Sequence, residues 1–300
     1  MINISVNLCE LELQNPIIPA SGTFGFGNEF CDFYDINILG AISIKGTTKE
    51  ARYGNPQPRI AECYSGMINS VGLQNPGIDA VVSQEIPNLR KHYHQPIIAN
   101  ISGFSIDEYV ECCRKIDSLV DVIEVNISCP NVHNGGMSFG TDPASAAMVT
   151  KAVKAVTKKP VFVKLTPNVT DIVSIAKACE DAGANGLTLI NTLLGMRIDI
   201  KQRKPVLANR MGGFSGPAIF PLAVRMVYQV AKACSIPVIG CGGISNADDV
   251  IEMMMAGATA VEIGTANLVD PMTCKTIIDE LPRRISELGF NNIKDIIGIV

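Results

Sequence analysis

Eight short apolar runs recur along the chain: Pro16 to Ala20, Ala41 to Lys45, Pro96 to Ile101, Val122 to Ile127, Val161 to Leu165, Gly186 to Ile190, Ile236 to Gly240 and Ala260 to Gly264. Each is continuously apolar and rich in β-branched residues. This is the pattern of a parallel strand covered on both faces, since a half-exposed strand would alternate. Most of the runs end in Gly, Asn, Ser or Lys, and helical stretches lie between most of them. Ser105-Ile106-Asp107-Glu108 reads as a capping box, and Thr170-Asp171 and Ser245 to Asp248 read as helix starts. The helix opened by Asp171 should end at Ala182-Gly183, where glycine takes the left-handed cap.

Eight strands alternating with helices predict an α/β fold, a (β/α)8 TIM barrel, as one domain over residues 1–300. An open doubly wound sheet usually has fewer strands and often carries G-x-G-x-x-G after the first. Here Gly25-Phe26-Gly27 lacks the third glycine and Gly240-Cys241-Gly242 runs on to Ser245. Two connections, Gly46 to Gly77 and Asn191 to Gly216, are too long for simple loops after a strand. Long loops in compact domains tend to be functional, and those following barrel strands lie on the active-site face. The two together are expected to cover a site, the second being basic through Arg197, Lys201, Arg203 and Lys204.

Composition narrows the function classes. Of 300 residues, 47% are hydrophobic and 18% charged, which suits a globular core. A net charge of −4 with no Lys/Arg run argues against a nucleic-acid partner. No uninterrupted apolar segment is long enough for a spanning helix, so no membrane association is expected. The first residues, Met1-Ile2-Asn3-Ile4-Ser5, show no targeting pattern, and the expected location is the cytoplasm. The 10 cysteines include no C-x-x-C pair, so no metal site is expected from this chain.

The chemistry-bearing residues stand at strand ends. Gly240-Cys241-Gly242-Gly243 and Glu262-Ile263-Gly264-Thr265 end the last two strands, the usual place of a barrel phosphate site, and Gly212-Gly213-Phe214-Ser215-Gly216 is a candidate third wall. Lys45 and Lys164 end two other strands. A lysine there is costly unless an anion, an ion pair or a reaction uses it, and a Schiff-base lysine is one such use. Asn69, Asn100, Asn126, Asn131 and Asn191 suggest a planar ligand with amide and carbonyl edges. Cys129 follows the fourth strand, where a thiol can serve as nucleophile, as general base or merely as buried packing.

The run Asn126-Ile127-Ser128-Cys129-Pro130-Asn131-Val132-His133-Asn134-Gly135-Gly136-Met137 resembles the catalytic segment of class 1B dihydroorotate dehydrogenases. Pro19-Ala20-Ser21-Gly22-Thr23, Lys45-Gly46-Thr47-Thr48, Asn69 to Asn75, Asn191-Thr192 and Gly195 to Asp199 extend the likeness over the chain. His133 and Ser138 depart from the lysine and alanine of that pattern. The resemblance implies an FMN-dependent enzyme oxidising dihydroorotate to orotate in pyrimidine biosynthesis. By position, it implies FMN contacts at Ser21, Lys45, Gly46, Asn100, Asn126, Lys164, Ile190, Gly216, Gly242, Gly243, Gly264 and Thr265. It places dihydroorotate against Lys45, Asn69, Ser70, Val71, Gly72, Leu73, Asn126, Asn131, Asn191 and Thr192, with Cys129 as the base. It further implies a partner subunit carrying FAD and a [2Fe–2S] cluster that passes electrons to NAD+, and a homodimer of catalytic chains within a heterotetramer.

Overall fold

The computed structural model describes residues 2–128 and 139–300. All eight apolar runs are strands: β1 (Ile17–Pro19), β2 (Ile42–Thr47), β3 (Ile97–Ile101), β4 (Val122–Asn126), β5 (Val161–Lys164), β6 (Gly186–Leu189), β7 (Val238–Cys241) and β8 (Ala260–Ile263). They form one sheet in the order β1-β8-β7-β6-β5-β4-β3-β2, every registered pair being parallel. The sheet curls until β2 returns to β1, as the sequence pattern predicts for a TIM barrel. Strands β3 to β8 are buried at every position, which is why they carry no alternation.

At the seam between β1 and β2 the Gly40 N–H donates to the Ile17 carbonyl at 3.0 Å. A Cβ at Gly40 would lie 2.0 Å from the Asn15 carbonyl oxygen, so only glycine permits this approach. Inside the barrel, a Cβ at Gly186 would meet the Phe162 ring at 2.1 Å. One large side chain thus fills the space that its neighbour vacates, the usual packing of a barrel interior.

Six main helices pack around the strands: α1 (Ile106–Ile116), α2 (Pro143–Lys154), α3 (Ile172–Asp181), α4 (Phe220–Ala233), α5 (Ala247–Met255) and α6 (Thr273–Glu287). The start signals hold, with local detail. Ser105 accepts from the Glu108 N–H at 3.3 Å, while the Glu108 carboxylate reaches the Phe104 N–H at 2.7 Å. Asp171 caps α3 by accepting from Val173 and Ser174, and Gly183 ends it with φ +96°. The cap of α5 is Asn246, and Ser245 instead donates to the Asp249 carboxylate.

The two long connections are more ordered than loops. Ile60–Cys63 and Gly66–Asn69 from the first join Leu193–Met196 and Met211–Ser215 from the second in a four-stranded antiparallel sheet. Gly212 and Gly213, read from sequence as part of an anion-binding wall, serve this sheet instead. A Cβ would lie 2.4 Å from the Asn69 carbonyl oxygen at Gly212 and 2.0 Å from Thr192 Oγ1 at Gly213. An N-terminal hairpin, Val6–Leu8 with Leu11–Leu13, buries Val6, Leu8 and Leu13. Among the described residues no helix is long and apolar enough to cross a membrane.

Gly40→Ala is expected to destabilise the chain by about 2 kcal/mol or more, the cost of forcing a methyl group into a closed backbone contact. Urea unfolding checks this, and an unchanged midpoint would contradict the seam's close packing.

Candidate active site

The C-terminal ends of the barrel strands open into one cleft, and the antiparallel sheet forms part of its wall through Ile60, Met67, Asn69 and Ser215. Ser21 comes from the turn after β1, Lys45 and Gly46 from β2, Asn100 from β3, Asn126 from β4 and Lys164 from β5. Ile190, Asn191 and Thr192 follow β6, Gly242 and Gly243 follow β7, and Gly264 and Thr265 follow β8. Asn69, Val71, Gly72, Leu73 and Gly216 complete the set of predicted residues that line the cleft. Ser70 does not line it: the residue is fully buried, and its hydroxyl has no hydrogen-bond partner among the described residues. Cys129 and Asn131 lie outside the described residues.

The floor is ionic. Lys164, only 5% exposed, donates through Nζ to Glu262 Oε2 and stands 4.0 Å from Glu124 Oε2, and both glutamates are fully buried. The sequence reading passed over these two acids. Each is the single charge in an otherwise apolar strand, Val122-Ile123-Glu124-Val125 and Ala260-Val261-Glu262-Ile263, and that is a readable signal. Burial works against the charge of Lys164, but Glu124 and Glu262 outweigh it and hold the ammonium above its ordinary pKa. Burial, and then the neighbouring Glu124, raise the Glu262 carboxyl, against the opposing pull of Lys164. Burial also pushes the Cys241 thiol up to about 12, so at neutral pH it is uncharged. An ammonium held charged in this way is a poor Schiff-base amine, since that role needs a lowered pKa. The aldolase reading of Lys164 therefore loses its support.

From this floor a chain of amides climbs the wall. Asn100 Nδ2 donates to Glu124 Oε2 at 2.5 Å, and Asn126 Nδ2 reaches Asn100 Oδ1 at 3.4 Å. Asn126 Oδ1 accepts from the Ser128 N–H at 3.2 Å and its hydroxyl at 2.6 Å, and Asn191 Nδ2 donates to Ser128 Oγ. Asn191 Oδ1 then takes the Thr192 N–H at 2.7 Å. These bonds orient the amides and leave fixed donor and acceptor edges toward the cleft. Gly46 leaves room for Asn100, whose Oδ1 would sit 2.7 Å from a Cβ there.

The segment carrying Asn69 to Leu73 is held by Asn75, which the sequence reading did not single out as functional. Its Oδ1 accepts from Thr48 at 3.2 Å and Gly77 at 2.9 Å, and its Nδ2 donates to Thr48 Oγ1 at 2.8 Å and the Leu73 carbonyl at 2.7 Å. Opposite, Gly242 and Gly243 have φ +125° and +81°, a backbone that L side chains rarely adopt. The N–H groups of Gly242, Gly243, Gly264 and Thr265 are not engaged in the backbone hydrogen bonds among the described residues. The Thr265 hydroxyl donates to Ser215 Oγ at 2.8 Å, tying the antiparallel sheet to the end of β8.

The family profile "Dihydroorotate dehydrogenase" matches residues 3–285. The chain belongs to the dihydroorotate dehydrogenase family. It is 57% identical over 300 residues to the "Dihydroorotate dehydrogenase B (NAD(+)), catalytic subunit" of Anoxybacillus flavithermus, covering 99% of this chain and 96% of the relative. The protein of the same name from Halalkalibacterium halodurans is also 57% identical, over 99% of this chain and 98% of its own length. That from Enterococcus faecalis is 55% identical over 296 residues, 98% and 95% of the two chains. The crystal structure of ligand-free type DHODH from Eimeria tenella superimposes with a TM-score of 0.84 at 23% identity, over 99% of this chain and 91% of that one, a likeness of fold.

Lys164→Met is expected to destabilise the protein by about 3–5 kcal/mol at neutral pH, because it leaves the negative charge of the buried Glu124 and Glu262 pair without its cation. The deficit should shrink as the pH falls and the carboxyls take up protons. Urea midpoints of variant and parent at neutral and mildly acidic pH measure this, and an equal deficit at both would contradict the charge argument.

Proposed function

We propose that the cleft oxidises (S)-dihydroorotate to orotate, a step in making UMP, with FMN as its resident cofactor. The observation that carries this reading is the union, in one cleft, of an anion cradle, a charged lysine floor and an oriented amide wall. Four uncommitted N–H groups at Gly242, Gly243, Gly264 and Thr265 suit the phosphate of a mononucleotide. Ser21, Lys45, Gly46, Asn100, Asn126, Lys164, Ile190 and Gly216 would hold the rest of FMN, and their places around the cleft support that assignment. When bound, FMN supplies the hydride acceptor.

The chain's own residues do the rest. The Lys164 ammonium, kept charged by Glu124 and Glu262, favours negative charge arising in the reduced ring system. Lys45 pairs with the carboxylate of dihydroorotate, and Asn69, Asn126, Asn131, Asn191 and Thr192 hold its amide edges, with the segment from Val71 to Leu73 closing around it. Cys129 takes the C5 proton. An ordinary thiol titrates at ~8.5, so a modest cationic influence makes a thiolate base available near neutral pH.

The relatives are named catalytic subunits linked to NAD(+), and this supports a route in which another chain finishes the electron transfer. That partner would carry FAD and a [2Fe–2S] cluster and pass electrons to NAD+. Two catalytic chains would form a central homodimer within a heterotetramer.

The purified chain with FMN should lose its flavin absorption on anaerobic addition of dihydroorotate. Alone, it should reduce artificial dyes but neither NAD+ nor fumarate efficiently. Efficient NAD+ reduction without a partner would overturn the proposed electron route. Cys129→Ala should keep the flavin and slow its reduction by roughly 100-fold or more, the usual worth of a general base. Full-rate reduction in that variant would remove Cys129 from the role.

A further inference from the structure

We propose that Glu124 and Glu262 share a single proton in the floor of the cleft, and that this pair sets the charge that Lys164 presents to the flavin. The second half rests on the proposed function; the first stands on the chain alone. Both carboxyls are fully buried and both flank the Lys164 ammonium, Glu262 through a direct hydrogen bond and Glu124 at 4.0 Å. Their Oε2 atoms are already committed, Glu262's to Lys164 and Glu124's to the Asn100 amide. Their Oε1 atoms are buried without a hydrogen-bond partner among the described residues. A proton on one of these carboxyls lowers the charge of two buried groups whose second oxygens have no donor among the described residues.

Charge counting points the same way. Glu262 on β8 is faced by Glu124 on β4, Lys164 on β5 and Cys241 on β7, while its register partner on β1 is Ile18. Cys241 is neutral near neutral pH. Lys164 is the cation that pairs with both glutamates among the described residues, so two ionised carboxylates would exceed the one ammonium in contact with them, whereas one retained proton leaves that trio neutral. The upward shift of Glu262 accords with this.

The consequence concerns reduction. With the proton in place, one carboxylate rather than two offsets the field of Lys164 when negative charge arises in the ring system above it. With the proton lost, a second carboxylate beneath Lys164 opposes that charge and makes the flavin harder to reduce. The same raised carboxyl makes a stability statement: its contribution is present below the ordinary carboxyl range and is lost as the pH rises through the raised value. Relative to Glu262→Gln, the parent should therefore lose stability with rising pH.

The proton is tested in flavin-free protein by infrared spectroscopy with 13C-labelled glutamate. The parent should show a protonated-glutamate carbonyl band at neutral pH that disappears as the pH is raised. Glu262→Gln and Glu124→Gln should each lack it. A parent spectrum without the band at neutral pH overturns the proposal whether or not the variants fold, and so does a band common to parent and both variants. In FMN-loaded protein, the midpoint potential of Glu262→Gln should match the parent below neutrality and lie increasingly above it at alkaline pH. Equal potentials throughout would overturn the link to the flavin. A chain that takes up no flavin would defeat the proposed function, while the infrared measurement still decides the proton.

Discussion

A single lysine near the mouth of an apolar barrel governs the arrangement of everything around it. Removed from water, the Lys164 ammonium can stay charged only beside counter-charges, and the described structure supplies them from β4 and β8. Glu262 is 98 positions away in sequence, so the contact exists only because the barrel closes. From this ion cluster the polar wall extends outward, Asn100 bonding Glu124 and each further amide oriented by the one before it. Buried polar networks are stable only when their members are satisfied. The two unpartnered carboxylate oxygens are therefore the most informative atoms in the site.

Glycine does two distinct jobs here. At Gly40, Gly186, Gly212 and Gly213 the missing Cβ lets backbone or side chains touch. At Gly242 and Gly243 the need is conformational, a positive φ that turns the chain after β7 past the cleft. The two uses are indistinguishable in sequence, which is why Gly212 and Gly213 read as part of an anion site and turn out to be sheet packing.

The barrel and its cover divide the labour. Parallel strands, buried on both faces, hold Lys164, Glu124 and Asn100 on rigid elements. The antiparallel sheet, built from two connections far apart in the chain, closes one side and is fastened by Asn75 and by the bond between Thr265 and Ser215. Rigid strands supporting a site, with a second layer closing one side of it, is an arrangement suited to enclosing a small ligand.

The sequence alone determined the barrel, because continuous apolar runs of strand length, separated by capped helices, have few other ways to bury themselves. It also carried the polar residues that stand at strand ends and line the cleft, since polar side chains there have no structural reason to follow an apolar run. Tertiary structure decided the rest. The hairpins within the long connections are short, exposed and glycine-rich, so local pattern reads them as loops, and only pairing between Gly66–Asn69 and Met211–Ser215 makes them a sheet. The same holds for Glu124 and Glu262. Each is a lone acid in an apolar strand, and its meaning depends on the strand that barrel closure sets beside Lys164. Local pattern reports which surfaces must be buried, whereas partners across the barrel follow from closure, which brings together residues that no stretch of sequence places side by side.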